Sequence, residues 1–358
     1  MKRAPVLLCL SLAIVSGAAM IAQTSSSEVD LHVAAARQAA GMDFRNTFIN
    51  LCLPSGGPGP GRGGGNVAGT GRRGAGAGAS GRAASAAAPG GRAAAAPQIP
   101  DRASWYAPPF KIFDNLFWLG TRQHSSWALQ TSAGLIVLDT NFAWATEPEI
   151  IEGLTKLGLA PREIKYVVIS HAHGDHDQGA AELQKRFGAK VVMGAPDWDS
   201  TLQRPSTAAG GVPTRDVVVG ADGMKLTLGD TTLDIIATPG HTPGTLSYVF
   251  PVKDGARTIV VAYSGGTLTG AFGTDAARWD EYIASQRKTA RAAADAGASV
   301  ILSNHSEYDG AYTKARLLMA PRQPGEDHPF IVGADGVQRY FTVMTECATA
   351  SKLRAGAR

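Results

Sequence analysis

The stretch ISHAHGDHDQG, residues 169–179, crowds His171, His173 and His176 together with Asp175 directly after the apolar run YVVI. An extended segment points His171 and His173, two positions apart, to the same side. Gly174 permits an unusual backbone turn before Asp175 and His176. The helix-prone GAAELQKRF begins just beyond. The positive end of its dipole favours an ionised Asp175. A strand-end loop with three imidazoles and a carboxylate offers the ligand types of zinc and similar divalent ions. The bland alternative is a polar loop without metal. It would have to find a partner for every imidazole and tolerate their mutual repulsion when protonated.

Two further histidines share this context. His241 sits in TPGHTPGT and His305 in VILSNHSEY, each where an apolar strand ends. Ligands at strand ends gather on one rim of a sheet sandwich, so these five histidines and Asp175 suffice for two adjacent metal ions. His124, in TRQHSSW, is a candidate for lining the mouth of such a site. His32 and His328 lack the context and read as ordinary structural histidines.

The elements that must position these residues follow from periodicity. NLFWLG, WALQTS, LIVLDT, IKYVVIS and AKVVMG read as strands, with EPEIIEGLTKLG and GAAELQKRFG as helices among them. MKLTLGD and TTLDIIATPG form a hairpin-like pair, and GTLSYVFPV, RTIVVAYSG and SVILSNH are later strands. Long helices are expected from WDEYIASQRKTARAAADAG and ADGVQRYFTVMTECATASKLR. This order suits an α/β (α+β) domain over 101–358, two sheets packed together with helices outside.

The rest of the chain divides by composition. Residues 1–22 have a basic start, an apolar core and small residues, the pattern of a secretory signal peptide cleaved after Ala19 or Ala22. Residues 23–53 read as a short helical segment. Residues 54–100 are almost wholly Gly, Ala, Pro, Ser and Arg and read as a flexible linker. Its chance G-x-G-x-x-G (Gly59, Gly61, Gly64) has no preceding strand and is no nucleotide site. The net charge is +4, but five linker arginines with Lys2 and Arg3 leave −3 for the remainder, which argues against nucleic acid as a partner. No run outside the leader is apolar enough to cross a bilayer. Cys9 belongs to the leader. Cys52 and Cys347 form either one disulfide or two unrelated buried thiols. Phe44, Phe48 and Leu51 are expected to pack on Val337, Tyr340, Phe341 and Met344, which would bring the two cysteines together.

HAHGDH, then GHTPGT, then SNH resembles the metallo-β-lactamase superfamily over roughly 104–310. The resemblance implies an αββα sandwich with a dinuclear zinc site at one edge. It assigns His171, His173 and His241 to the first zinc, and Asp175, His176 and His305 to the second. Asp139, closing LIVLD, corresponds to an aspartate that supports the metal loop. Glyoxalase II and lactonases of the superfamily carry a metal-bridging aspartate after the strand that follows the GH element. Here that strand ends in YSGGTLTG, with no acid between Asp254 and Asp275 and no cysteine. The set is most similar to subclass B3, which implies β-lactam substrates, with Thr267 and Thr269 contacting the substrate carboxylate. Hydroxide generated at two Zn2+ ions would be the nucleophile, with Asp175 orienting it. The alternatives are a hydrolase of another ester, lactone or amide, and a non-catalytic metal-binding protein.

Overall fold

The computed structural model describes residues 28–53, 99–267, 272–323 and 325–357. The leader, nearly all of the linker and Thr269 lie outside the described residues.

Seven strands form the first sheet, in chain order: β1 Phe110–Phe113, β2 Leu116–Trp118, β3 Trp127–Thr131, β4 Gly134–Leu138, β5 Ile164–Val168, β6 Lys190–Gly194 and β7 Val217–Val219. β1 to β4 are antiparallel neighbours, and β4 to β7 run parallel. Five strands form the second sheet, in the order β12-β11-β10-β9-β8. They are β8 Met224–Leu228, β9 Thr231–Ala237, β10 Leu246–Asp254, β11 Arg257–Ser264 and β12 Val300–Ser303. Only β11 and β12 pair in parallel; the others are antiparallel.

Alternation along each strand sorts side chains between layers. Ile136 and Leu138 of β4 face Tyr248 and Phe250 of β10 in the core between the sheets. Leu135 and Val137 point the other way, against Ile150, Leu154 and Leu183 in the outer helical layer. On the far side, Ala262 and Ile301 of the second sheet meet the remaining helices. The chain is thus an αββα sandwich.

Residues 28–40 form helix α1, followed by α2 (Arg45–Cys52). The helices of eight or more residues that follow are α3 (Ala180–Phe187) and α4 (Ala195–Leu202), then α5 (Ala276–Asp295) and α6 (Gly333–Arg354). The expected packing of the N-terminal segment holds. Phe44, Phe48 and Leu51 are buried with Val337, Tyr340, Phe341 and Met344. The Phe44 ring meets Tyr340 edge-on at 5.4 Å. Cys52 and Cys347 are disulfide-bonded. His32 lies 2.5 Å from Glu346, tying α1 to α6. His328 stacks on Phe113 and donates to the Ile112 carbonyl, away from the site.

Candidate metal centre

β5 delivers the central loop. After Val168 the chain runs through His171 and His173 and then makes a single helical turn, Gly174–Asp177, that turns Asp175 and His176 inward. His241 arrives on the turn between β9 and β10, and His305 directly after β12. All lie along one rim, where the two sheets open.

The six expected ligands fall into two clusters. In the first, His241 Nε2 lies 3.1 Å from both His171 Nε2 and His173 Nδ1. In the second, Asp175 Oδ2 is 3.2 Å from His176 Nε2 and 3.4 Å from His305 Nε2, and those two nitrogens are 3.1 Å apart. A fourth group joins it: His124 Nε2 is 3.6 Å from Asp175 Oδ2, within the donor cluster rather than at its mouth. Zinc–nitrogen bonds of about 2.0–2.1 Å in a tetrahedron place neighbouring donors about 3.3–3.4 Å apart. Both clusters have donor spacings near that edge length. In the first, three imidazole nitrogens converge with no carboxylate among them. The donor set therefore fits a divalent cation in each cluster.

Groups behind the donors aim them. His171 donates from Nδ1 to the Gly265 carbonyl at 2.9 Å, which leaves Nε2 for the cluster. His176 Nδ1 lies 3.1 Å from Asp139 Oδ2. Asp139 also accepts from the Ser170 amide, the Ser170 hydroxyl and the Tyr263 hydroxyl. Its placement at the end of β4, with φ of +59°, is a conformation that a small polar residue tolerates better than most. Asp139, expected to support the metal loop, stands between His176, Ser170 and Tyr263. A histidine ligand with its second nitrogen on a carboxylate or carbonyl is the usual way to fix ring tautomer and direction.

The supporting role of Asp197 was not legible in the sequence. From α4 it accepts from the Ala172 amide (2.7 Å), the Thr242 hydroxyl (2.8 Å) and the Gly244 amide (2.9 Å). It thereby pins the His171–His173 loop to the His241 turn. The approach is so close that a Cβ on Gly244 would meet Asp197 Cγ at 2.6 Å, hence a glycine there. Arg204 caps the same loop, donating to the Ala172 carbonyl and pairing with Asp177. Across the site, Arg278 of α5 donates to the Gly240 and His241 carbonyls.

Thr267 is placed differently from the expectation. It is buried, and its hydroxyl is bonded to Ser303 (3.0 Å) and Asn304 (2.7 Å). Buried and committed to these two partners, it braces the end of β12 instead of facing a substrate. Asn304 in turn donates to the Gly265 carbonyl that holds His171.

The electrostatics suit metal rather than proton binding at most donors. Burial pushes the His171 pKa well below the usual imidazole value, reinforced by His241 and His176. Burial, with His305 adding to it, lowers His124 to about 3. His173 is lowered by burial too. Burial opposes ionisation of Asp175, but His176 and His305 outweigh it and hold the carboxylate well below its usual value. His176 is the exception. Burial disfavours its charge, yet Asp175 and Asp139 raise it to about 10.

A two-sheet sandwich carrying histidine-rich donor clusters on one rim defines a metallo-hydrolase scaffold. The family model for the metallo-beta-lactamase superfamily matches residues 119–305, and the chain belongs to that superfamily. BJP-1, a subclass B3 metallo-beta-lactamase of Bradyrhizobium japonicum, is similar at 30% identity and a TM-score of 0.53, over 68% of this chain and 93% of that one. The FEZ-1 metallo-beta-lactamase from Legionella gormanii shares the fold at 24% identity and a TM-score of 0.57, over 68% and 94%. Among curated relatives, the hydroxyacylglutathione hydrolase of Acidiphilium cryptum is 36% identical over 87 residues, 24% of this chain and 31% of that protein. The chain spans about a third of the length of the curated relatives it matches.

Proposed function

We propose that this metallo-hydrolase opens β-lactam rings with two zinc ions. The observation that carries the reading is the end of β11. β11 ends in Ser264, Gly265 and Gly266 with no acid between Asp254 and Asp275, where the resemblance to glyoxalase II and lactonases would lead one to expect a bridging aspartate. The Gly265 carbonyl there is already committed to His171. The 30% likeness to BJP-1 across nearly that whole protein supports the same reading. The hydroxyacylglutathione hydrolase matches favour a thioester instead, but they span a much shorter part of this chain.

Bound zinc supplies polarisation of the scissile carbonyl and acidification of water to a pKa near 7. The chain's residues do the rest. His171, His173 and His241 hold the first ion. Asp175, His176 and His305 hold the second, with Asp139 fixing the His176 ring. Asp175, kept ionised by His176 and His305, would help to orient the attacking water. Phe142 stacks on Trp144 (5.0 Å), which contacts Trp105 (4.6 Å), and these half-buried rings form a shelf for an apolar substituent beside the second cluster. The leader-like residues 1–22 and the Cys52–Cys347 bond support an exported protein in an oxidising compartment. Among the described residues no helix is long and apolar enough to cross a membrane.

The test is turnover of nitrocefin and a carbapenem beside a glutathione thioester, with zinc, with chelator, and with zinc restored. Zinc-dependent lactam turnover supports the proposal. Thioester turnover alone replaces it with the second reading.

A further inference from the structure

We propose that His124 is a fourth protein ligand in the second cluster, so that this cluster is a closed, four-donor site while the first keeps an open position. His124 comes from the loop between β2 and β3, a chain region that supplies none of the six ligands implied by the family resemblance.

Three observations carry this. The first is convergence. His124 Nε2, Asp175 and His305 offer donor atoms that all lie within 4.8 Å of one another. His176 Nε2 lies on the same carboxylate oxygen and 3.1 Å from His305 Nε2, so three imidazoles border Asp175 Oδ2. The second is aim. His124 Nδ1 lies 3.2 Å from the Thr121 hydroxyl, which also accepts from the His124 amide at 2.9 Å. The second ring nitrogen is thus engaged and Nε2 is turned to the cluster, as for a metal-bound histidine. The third is rigidity. His124 and His305 form an antiparallel bridge, flanked by hydrogen bonds from the Ser125 amide to Asn304 and from the Ser306 amide to Gln123. Two donors from opposite sheets are therefore set by backbone ladders. The His124 ring is held edge-on against Phe142 at 5.1 Å and against His305 at 5.0 Å.

The consequence is a division of labour. Four protein donors complete a tetrahedral zinc shell, the mark of structural sites, whereas three donors leave the position that a catalytic site needs. Substrate then meets the ion held by His171, His173 and His241, and the second ion chiefly fixes the loop between the sheets. This holds whichever bond the enzyme cleaves, and the test reads metal rather than turnover.

Chelator competition with Zn2+, and visible absorption of the Co2+-substituted protein, are compared for wild type, His124→Ala and His124→Phe. The phenylalanine keeps a ring against Phe142 and removes both nitrogens, so it separates donation from packing. Both variants should bind the second ion at least about 10-fold more weakly, the lower bound for loss of even an indirect support. First-ion affinity should be unchanged, and the cobalt bands of the second site should change intensity. Thr121→Val should shift the same affinity by less. Either His124 variant retaining wild-type second-ion affinity and cobalt spectrum overturns the proposal.

Discussion

The two walls of the metal rim are built by different means. On the first-sheet side the donors sit on an irregular loop, and two buried carboxylates, Asp139 and Asp197, hold it from behind. On the second-sheet side His241 and His305 leave the ends of strands: Thr267, Ser303, Asn304 and the Tyr282 hydroxyl brace the end of β12 beside Asp309, which accepts from the Ser303 amide, and Arg278 with Asp197 holds the His241 turn. A strand end inherits its direction from the ladder, so neutral bonds can do part of the holding there. A loop that turns out of the ladder leaves amides unpaired, and a carboxylate accepting several of them at once satisfies and aims them together. Charge is thus concentrated where regular structure stops.

Asp139→Ala attacks the first wall hardest. It strips acceptors from Ser170 and Tyr263 and leaves His176 facing Asp175 alone. Second-ion affinity should fall about 10–100-fold, with a stability loss of about 3–5 kcal/mol, measured by chelator competition and denaturant unfolding. Asp197→Ala should fall mainly on the first cluster, because it frees the Ala172 loop from the His241 turn. About 10-fold weaker first-ion binding with the second ion retained is expected. Equal loss at both ions would break the comparison.

Thr267→Val probes the neutral bonds of the second wall. It should cost about 1 kcal/mol of stability and leave KM unchanged. A large rise in KM with stability intact would restore Thr267 to the substrate.

Glu149 sharpens the contrast from the opposite side, as a buried carboxylate in the helical layer over the first sheet that serves no metal donor. It accepts only from the Ala107 amide, its other oxygen is unpartnered, and burial raises its pKa from 4.5 to about 9. Below its ordinary value both folded and unfolded states hold the proton. Between there and about 9 only the unfolded state releases it, so stability falls as pH rises across that window. Glu149→Gln should therefore match wild type near pH 4 and melt higher at pH 8, by a few degrees. Identical melting curves at both pH values would show that Glu149 is not held protonated.

The six expected ligands were legible because five stand next to a strand end or within one tight turn, where spacing alone decides direction. His305 was legible from its strand. The ligand role proposed for His124 was not, because its loop gives no sign that it bridges to residue 305. Asp197 sits in GAPDWDS like any acid in a helix's first turn, and its three partners come from loops 25 to 47 positions away. Thr267 misled for the converse reason. Its place at a strand end was right, but which way a side chain turns after two glycines is set by tertiary packing. The short strand Val217–Val219 was equally invisible, being too brief to leave a period; EPEIIEGLTKLG read as a helix, but the irregular winding of its first part, Thr146–Ile151, left no mark in the spacing.

The Cys52–Cys347 bond changes what a cut in the backbone can do. The first two helices and the sandwich are joined twice, once through the backbone between residues 53 and 99 and once through sulfur. Scission anywhere in that interval opens a ring instead of releasing a piece. The nicked molecule keeps its mass, apart from one added water per cut, until reductant is present. Phe44, Phe48 and Leu51 stay tethered over α6 throughout. Protease processing at such a point would convert one chain into a covalent heterodimer with its metal rim untouched.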